Sequence, residues 1–143
     1  MAIVLGLNAK LLYGSAGATG ETEATAVKEV TLSLTTGTAD VTSRAANGWR
    51  VKVATLKEGT LDFSFNYDTA ETFCSTVIQN FIAGTPMAFF VTDGNNTGLD
   101  ADWALTNCSM SQPLEEAVTI SVTAEPTMTG DSPRAPQWID GAA

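Results

Sequence analysis

Hydrophobic and polar residues alternate one by one along three segments of the chain. Residues 30–35 (VTLSLT), 61–68 (LDFSFNYD) and 118–125 (VTISVTAE) carry an apolar side chain at every second position. A period of two predicts strands with one face on a core and the other in water. The polar positions hold Thr, Ser, Asn and acidic residues, and none holds a lysine.

A helical spacing follows the second of these segments. Apolar residues spaced i, i+3, i+4 and i+7 predict one amphipathic helix at about residues 69–83. Asp68 and Glu71 suggest a capping box at its start, and Gly84 before Thr85-Pro86 predicts its end. The predicted apolar stripe consists of Ala70, Phe73, Cys74, Val77, Ile78, Phe81 and Ile82.

The remaining segments complete the predicted order of elements. The apolar run 87–91 (MAFFV) predicts a central strand, and the turn-rich segment 92–102 leads to a further strand at about 103–111. The expected fold is mainly β: an antiparallel β-sandwich or part-closed barrel with one flanking helix, in a single domain over residues 1–143.

Two segments predict a loop and an arm. Residues 14–26 are small, polar and glycine-rich, which indicates a flexible loop. Residues 127–143 contain two of the five prolines and Trp138, which predicts a C-terminal arm whose tryptophan docks on its own domain or on a neighbour. The apolar start, residues 1–12, is interrupted by Lys10 and has no basic region before it, so we interpret it as a strand or arm rather than a signal peptide.

Composition argues against an enzyme. The 143 residues include no histidine and only two cysteines, which removes the commonest general base and the usual nucleophile–histidine pairs. We therefore predict no catalytic, cofactor-binding or metal-binding residues, and no cofactor. The net charge of −9 disfavours binding to nucleic acid or anionic lipid, and no apolar run is long enough to anchor the chain in a membrane.

The segment 93–98 (DGNNTG) looks like the first half of a calcium-binding loop. An EF-hand needs a glutamate at the twelfth position and an apolar residue at the eighth, where this chain has Ala104 and Asp100. We interpret residues 93–102 as an acidic hairpin loop, and the sequence leaves open whether it binds a cation.

Two carboxylate pairs and the two cysteines are the other candidates for chemistry. Neither Asp100/Asp102 nor Glu115/Glu116 lies in a run that predicts a pocket, so general acid–base catalysis is not expected. Cys74 and Cys108 are interpreted as small buried hydrophobic residues, and a disulfide between them stays open.

Residues 39–59 concentrate positive charge in an acidic chain. Four of the seven basic residues lie here: Arg44, Arg50, Lys52 and Lys57. Asn47-Gly48 is a strong type I′ turn signal and predicts a hairpin at about 40–58. A two-stranded hairpin alone is marginally stable, so a projecting one would need apolar surface and carboxylates from another subunit. An ordinary hairpin within the sheet is the alternative.

In its order of elements the chain resembles the tail tube (major tail) proteins of long-tailed bacteriophages and related gene transfer particles. The most specific stretches are Asp40-Val-Thr-x-Arg44-x-x-Asn47-Gly48-Trp49 and residues 113–126 (PLEEAVTISVTAEP). The resemblance covers nearly the whole chain.

This resemblance implies a structural subunit. Six copies would close into a ring, and stacked rings would form a hollow tube through which genomic DNA passes without specific binding. Its partners would be further copies of itself and other tail proteins such as the tape measure, tail terminator and distal tail proteins. It would be made in the host bacterial cytoplasm and reside in the virion tail.

The resemblance also implies roles for particular residues. Contacts between subunits or stacked rings would involve Arg44, Asn47, Gly48, Trp49 and Arg50, to which we add Trp138. The polar strand faces supply candidates for the channel lining: Asp62, Asn66, Thr119, Ser121, Thr123 and Glu125. A tube subunit of a contractile injection or secretion machine, and a monomeric β-sandwich binding module, are the alternatives.

Overall fold

The computed structural model describes residues 3, 5–6, 9–95, 97–130 and 133–140. These residues form eight strands and one α-helix. In chain order the elements are β1 (Lys10–Ser15), β2 (Thr22–Glu23), β3 (Val27–Asp40), β4 (Lys52–Asn66), α1 (Thr72–Ala83), β5 (Met87–Thr92), β6 (Gly98–Ser111), β7 (Thr119–Pro126) and β8 (Gln137–Ile139).

All eight strands belong to one antiparallel sheet. The order across it is β2-β1-β5-β6-β7-β4-β3, and β8 pairs with the first residues of β6, beside the end of β7. The sheet curls into a half-barrel, and α1 is the one α-helix among the described residues. The predicted mainly β fold, in its part-closed barrel form with one flanking helix, is confirmed.

The alternating segments put one face of the sheet on the core. Phe63 pairs with Val122, and both are buried, whereas the neighbouring pair Asp62 and Thr123 lies on the opposite face. The same alternation buries Leu61, Phe65, Ile120 and Ala124. The period-two pattern therefore identified the strands and most of their buried positions, but Leu34 and Tyr67 are exposed.

Helix α1 packs on the core face of the sheet through Phe73. The ring centroid of Phe73 lies 4.7 Å from that of Tyr13, 5.2 Å from Phe65 and 6.0 Å from Phe63. Burying one such side chain contributes about 1.5–3 kcal/mol. The predicted stripe is buried at Phe73, Cys74 and Val77 in the first half of the helix, whereas Phe81 is half-buried and Ile82 is exposed.

The predicted capping box is wrong. The helix starts at Thr72, with Glu71 as the N-cap residue and no capping hydrogen bond from its side chain. Asp68 instead forms a local turn, its Oδ1 accepting from the Ala70 N–H, and the Glu71 carboxylate accepts from Thr25 Oγ1. Both side chains are thus engaged before the helix begins. The predicted end is correct, since Gly84 adopts φ +73° and its N–H bonds to helix carbonyls.

Strand β6 starts five residues earlier than the sequence suggested. Residues 98–102 were expected to be loop, but they pair with β5 along their whole length. Leu99 and Ala101 face the core while Asp100 and Asp102 face away from it. The two aspartates led to the interpretation of this segment as an acidic loop, although apolar and acidic residues alternate along it.

Parts of two sequence expectations fall outside the described residues. Residues 1, 2, 4, 7 and 8 of the expected N-terminal strand or arm lie outside, and strand β1 begins at Lys10. Residues 131, 132 and 141–143 of the expected C-terminal arm lie outside as well. The described part of the chain has no helix with the length and apolar character needed to cross a membrane.

Candidate functional site

Strands β3 and β4 extend beyond the rest of the sheet as a two-stranded ribbon. They pair with each other from Val27↔Phe65 to Asp40↔Lys52, whereas β4 pairs with β7 only along its last six residues, 61–66. Residues 33–40 and 52–60 therefore have strand partners only in each other among the described residues. We call these residues and their connection, 33–60, the ribbon.

The tip of the ribbon, residues 41–51, is a longer loop than predicted. The Val41 N–H donates to the Val51 carbonyl, and a 3₁₀ turn spans Arg44–Ala46. Asn47 and Gly48 do adopt the positive φ values, 52° and 85°, that make Asn-Gly a turn signal, but they follow the 3₁₀ turn. The predicted two-residue type I′ turn is wrong.

Side-chain hydrogen bonds explain the longer loop. Thr42 Oγ1 accepts from the Val51 N–H at 2.8 Å, and Ser43 Oγ accepts from the Ala45 N–H at 3.3 Å. Asp40 Oδ1 accepts from the Thr42 N–H at 2.9 Å. Short polar side chains thus satisfy backbone groups that a tight turn would have paired directly.

The tip exposes apolar side chains and positive charge together. Trp49 is 76% exposed, Val41 and Val51 in the tip are exposed as well, and so is Val53 on the adjoining strand β4. Arg50 contacts Asp40 at 3.0 Å, with both side chains largely in water. Hydrogen bonds from Thr42 lower the pKa of the Asp40 carboxyl below its usual value, and the hydrogen bond from Arg50 lowers it further.

Charge divides sharply between residues 40–57 of the ribbon and the rest of the molecule. Residues 40–57 contain four basic residues and one acidic residue, a net charge of +3. The remainder contains three basic and fifteen acidic residues, a net charge of −12. An exposed, positively charged apolar surface on an acidic body is suited to binding another copy of that body.

A second polar cluster, absent from the sequence predictions, lies on the outer face of β6. Arg134 donates from Nη1 to Asp100 Oδ2 at 2.6 Å and from Nε to Asp102 Oδ1 at 2.8 Å. We call these three residues the arginine clamp. Both aspartates are fully buried and the Arg134 side chain is 17% exposed.

The clamp also holds the segment that follows β1. The Gly17 N–H contacts both carboxylate oxygens of Asp102 at 3.0 Å, and Thr19 Oγ1 donates to Asp100 Oδ2 at 2.7 Å. Arg134 Nη2 donates to the Ala18 carbonyl at 3.0 Å. Two segments more than 110 positions apart in sequence are thereby fastened to one strand.

The environment of the clamp fits a structural role. Burial alone would lower the pKa of Arg134, but hydrogen bonds and charge attraction from Asp100 and Asp102 outweigh it and raise that pKa. Asp100 Oδ1 is buried without a hydrogen-bond partner in the described structure. Because the guanidinium binds Asp100 Oδ2 and Asp102 Oδ1 while the Gly17 N–H binds Asp102 Oδ2, the pair Asp100/Asp102 is committed to holding these two segments.

A sequence signal for the clamp existed. The segment 99–103 (LDADW) alternates apolar and acidic residues as a strand does, and Arg134 is the only basic residue after Lys57. A buried acidic pair needs a cation, and this half of the chain offers one.

The outer face of the other half of the sheet is polar and uncovered by any described segment. Register places all six predicted lining residues there, with Asp62 beside Thr123 and Asn66 beside Thr119. The Thr123 hydroxyl donates to Asp62 Oδ1 at 2.6 Å. We call this surface the polar face; it consists of Glu29, Thr31, Ser33, Thr60, Asp62, Ser64, Asn66, Asn107, Ser109, Ser111, Thr119, Ser121, Thr123 and Glu125.

Solved structures with the same fold are tail components. The tail of an empty gene transfer agent particle, computed with helical refinement in C6 symmetry, matches with a TM-score of 0.78 at 13% identity, covering 95% of this chain and 98% of that one. The virion of a native gene transfer agent particle matches with a TM-score of 0.72 at 12% identity and the same coverage. The SPP1 tail tube matches with a TM-score of 0.66 at 14% identity, covering 87% and 76%.

The chain has the tail tube fold. No protein-family model and no curated protein sequence matches it. At these identities the structural matches establish the architecture only, so roles within the tail tube fold have to be argued from the residues of this chain.

Within this tail tube fold, Trp138 lies on β8, opposite Leu99 of β6. It is 65% exposed and borders an apolar groove of about 460 Å³ at the base of the ribbon. We call this the base groove; its apolar lining includes Leu34, Leu99, Pro126, Met128, Pro136 and Trp138. The predicted contact residues therefore occupy two separate places, the ribbon tip and the base groove.

The remaining candidates show no convergent site. Asp93 Oδ1 accepts from the Asn95 N–H and so closes its own loop. Glu115 and Glu116 lie in the exposed turn before β7, and Cys74 and Cys108 are free thiols. Within the described residues, no three His, Cys, Asp or Glu side chains are grouped to hold a metal ion.

Proposed function

We propose that this protein is the structural subunit of a tail tube in a phage or gene transfer particle. Six copies form a ring, rings stack into a hollow tube, and the tube belongs to the particle tail together with other tail proteins. The observation that carries the proposal is a tail tube fold whose ribbon exposes Trp49 and a net positive charge on an acidic body.

The ribbon supports self-assembly rather than a monomeric role. Contiguous exposed apolar side chains on a projecting element mark an interaction surface. Trp and Arg are the residue types that most often dominate the binding energy of an interface, and the tip offers Trp49 beside Arg44 and Arg50. Different patches meeting head to tail generate rings when they close and filaments when they repeat.

The polar face supports a channel that does not retain DNA. It contains no lysine or arginine, and its charged members Glu29, Asp62 and Glu125 are all acidic. Six copies of a chain with net charge −9 carry a formal charge of −54 per ring. Phosphate is repelled by such a surface, so DNA can pass without binding.

Electron microscopy of the purified protein, together with sedimentation over a range of concentrations, tests the assembly. Rings of six subunits or hollow tubes are expected as concentration rises. A species that stays monomeric at millimolar concentration, with no rings on the grid, contradicts the proposal and favours a monomeric binding module.

A charge reversal tests the channel. Asp62→Lys with Glu125→Lys is expected to leave tubes intact and to slow or stall DNA ejection from particles, because lysines on the wall would bind phosphate. The control is Glu115→Lys with Glu116→Lys, which adds the same charge in the exposed turn before β7. Equal ejection rates in the two variants would contradict the lining assignment.

A further inference from the structure

Two apolar surfaces of the described structure have no partner within the subunit. One is the ribbon tip with Trp49. The other is the base groove, where Leu34, Met128 and Trp138 are 59%, 54% and 65% exposed. Exposed apolar surface of this kind is unfavourable unless something covers it.

The tip cannot cover the groove of its own subunit. The groove lies at the level of the pair Leu34↔Gly59, and the paired strands end at Asp40↔Lys52. Gly59 and Lys52 lie seven positions apart in β4, which in an extended strand is about 23 Å. Since the strands stay paired over this distance, the tip is held away from the groove.

We propose that the base groove receives the ribbon tip of a second copy of this chain, with Trp49 as the inserted side chain. This inference rests on the proposed tail tube function and names the acceptor surface. The groove, at about 460 Å³, is within the range of pockets that enclose whole ligands. The tip, residues 41–51, carries a net charge of +2 and the rest of the chain −11, so the tip is attracted to the acidic body around the groove, whose own lining is balanced by Lys57 and Glu58.

The geometry of this contact produces a stack. Donor and acceptor lie at opposite ends of one ribbon, so each copy that accepts a tip still presents its own. A contact between different patches that leaves both ends free repeats along a line and does not close as a dimer. The same pair of surfaces thus suffices to join each ring to the next.

The arginine clamp is placed to keep the groove open for binding. Arg134 comes two residues before Pro136 and four before Trp138, which line one wall. Its bonds to Asp100 and Asp102, with the pairing of β8 to β6, fix that wall before any partner arrives. A preformed wall removes the ordering cost that a loose arm would add to binding. In this contact Arg134 is a positioning residue.

Disulfide trapping tests the contact in the full-length chain. Ala45→Cys at the tip and Gln137→Cys at the groove wall are combined in a Cys108→Ala background, and assembled material is oxidised. Both substituted positions are exposed. The expected result is a ladder of covalent multimers on a non-reducing gel. The control pair, Ala45→Cys with Glu115→Cys, and each single cysteine should give no ladder.

The outcomes separate the two proposals. Tubes that form without a Gln137 ladder, or with an equal Glu115 ladder, overturn the groove as acceptor and leave the tail tube function standing. Failure of the unmodified chain to form rings or tubes overturns both.

A double-mutant cycle covers the case in which the cysteine variants fail to assemble. Trp49→Phe and Trp138→Phe should each raise the concentration needed for assembly about tenfold. If the two tryptophans belong to one contact, the double variant should raise it far less than the roughly hundredfold expected of independent sites. Leu114→Phe, at a fully exposed turn residue, should have no effect. If the double variant raises the concentration needed for assembly by the full roughly hundredfold, the two tryptophans act independently and the proposed contact is overturned.

Discussion

Arg134 and Arg50 each contact aspartate, but in opposite surroundings. Arg134 is 17% exposed and holds two fully buried carboxylates, whereas Arg50 and Asp40 meet in water at the ribbon tip. The first contact fastens remote segments to the sheet. The second lies on a loop that contacts little else within the subunit. The charged contact in the body therefore stabilises the subunit itself. The ribbon tip instead exposes charged and apolar side chains that make few contacts within the subunit.

The largest expected effect is the loss of the clamp. Arg134→Met should destabilise the isolated subunit by about 3–5 kcal/mol, because it leaves two buried carboxylates without a cation. Urea unfolding of the unassembled subunit measures this. The matched control, Arg50→Met, should leave the unfolding midpoint unchanged, since exposed ion pairs contribute little.

A neutralised cluster separates charge from packing. Asp100→Asn, Asp102→Asn and Arg134→Met together should recover most of the lost stability, because no buried charge is left uncompensated. If the triple variant unfolds as easily as Arg134→Met, shape rather than charge holds the clamp together.

At the ribbon the expected effect falls on assembly instead of folding. Trp49→Ala should cost at least about 2 kcal/mol per subunit contact, equivalent to roughly a thirtyfold rise in the concentration at which tubes form. Thermal unfolding of the unassembled subunit should not change, because Trp49 is already exposed. A variant that yields no soluble folded subunit would show that the tryptophan belongs to the core.

Much of the body could be predicted from sequence. Strands such as 61–66 and 119–125 have one buried face, so the period-two pattern reported both their position and their orientation. The start of β6 escaped detection because Asp100 and Asp102 are buried by segments distant in sequence. No pattern within the sequence around β6 indicates that residues 17–19 and Arg134 bind Asp100 and Asp102.

The hairpin of the ribbon was predicted from its charge and its tryptophan rather than from periodicity, and the error lay in the type of turn. Four clustered basic residues beside Trp49 marked it, and the tip does expose that tryptophan. Its turn was misjudged because Asn47-Gly48 is a local signal, whereas Thr42 bonds the backbone of Val51, nine residues away. What the tip contacts depends on a second molecule, which sequence pattern cannot supply.

A smaller effect is expected for charge at the tip. Arg44→Ala should give tubes that dissociate more readily as salt rises, because the remaining charge attraction is screened. Light scattering of preformed tubes across a salt series measures this. Lys10→Ala removes a charge of the same sign outside the ribbon and serves as the control. Identical salt curves for the two variants would remove Arg44 from the contact.

The smallest effect concerns Asp40. Because the pKa of Asp40 is lowered in the folded state, the stability that its charged carboxylate contributes is complete above the unfolded-state pKa. It is lost as pH falls through the lower folded-state pKa. A titration of the Asp40 carboxyl followed by NMR should have its midpoint below 3.8. Arg50→Met should raise that midpoint only slightly, since the hydrogen bonds from Thr42 contribute more than the one from Arg50. A midpoint that returns to 3.8 in Arg50→Met would show that the ion pair dominates the loop.

The most direct test of the central claim is a high-resolution reconstruction of the assembled particle. We expect a sixfold ring stack in which Trp49, 76% exposed in the subunit, is buried against a neighbouring copy while Arg134 keeps the contacts it has here. A tube in which Trp49 remains in solvent, or in which the clamp opens to make the contact, would contradict the division between a self-sufficient body and an assembling ribbon.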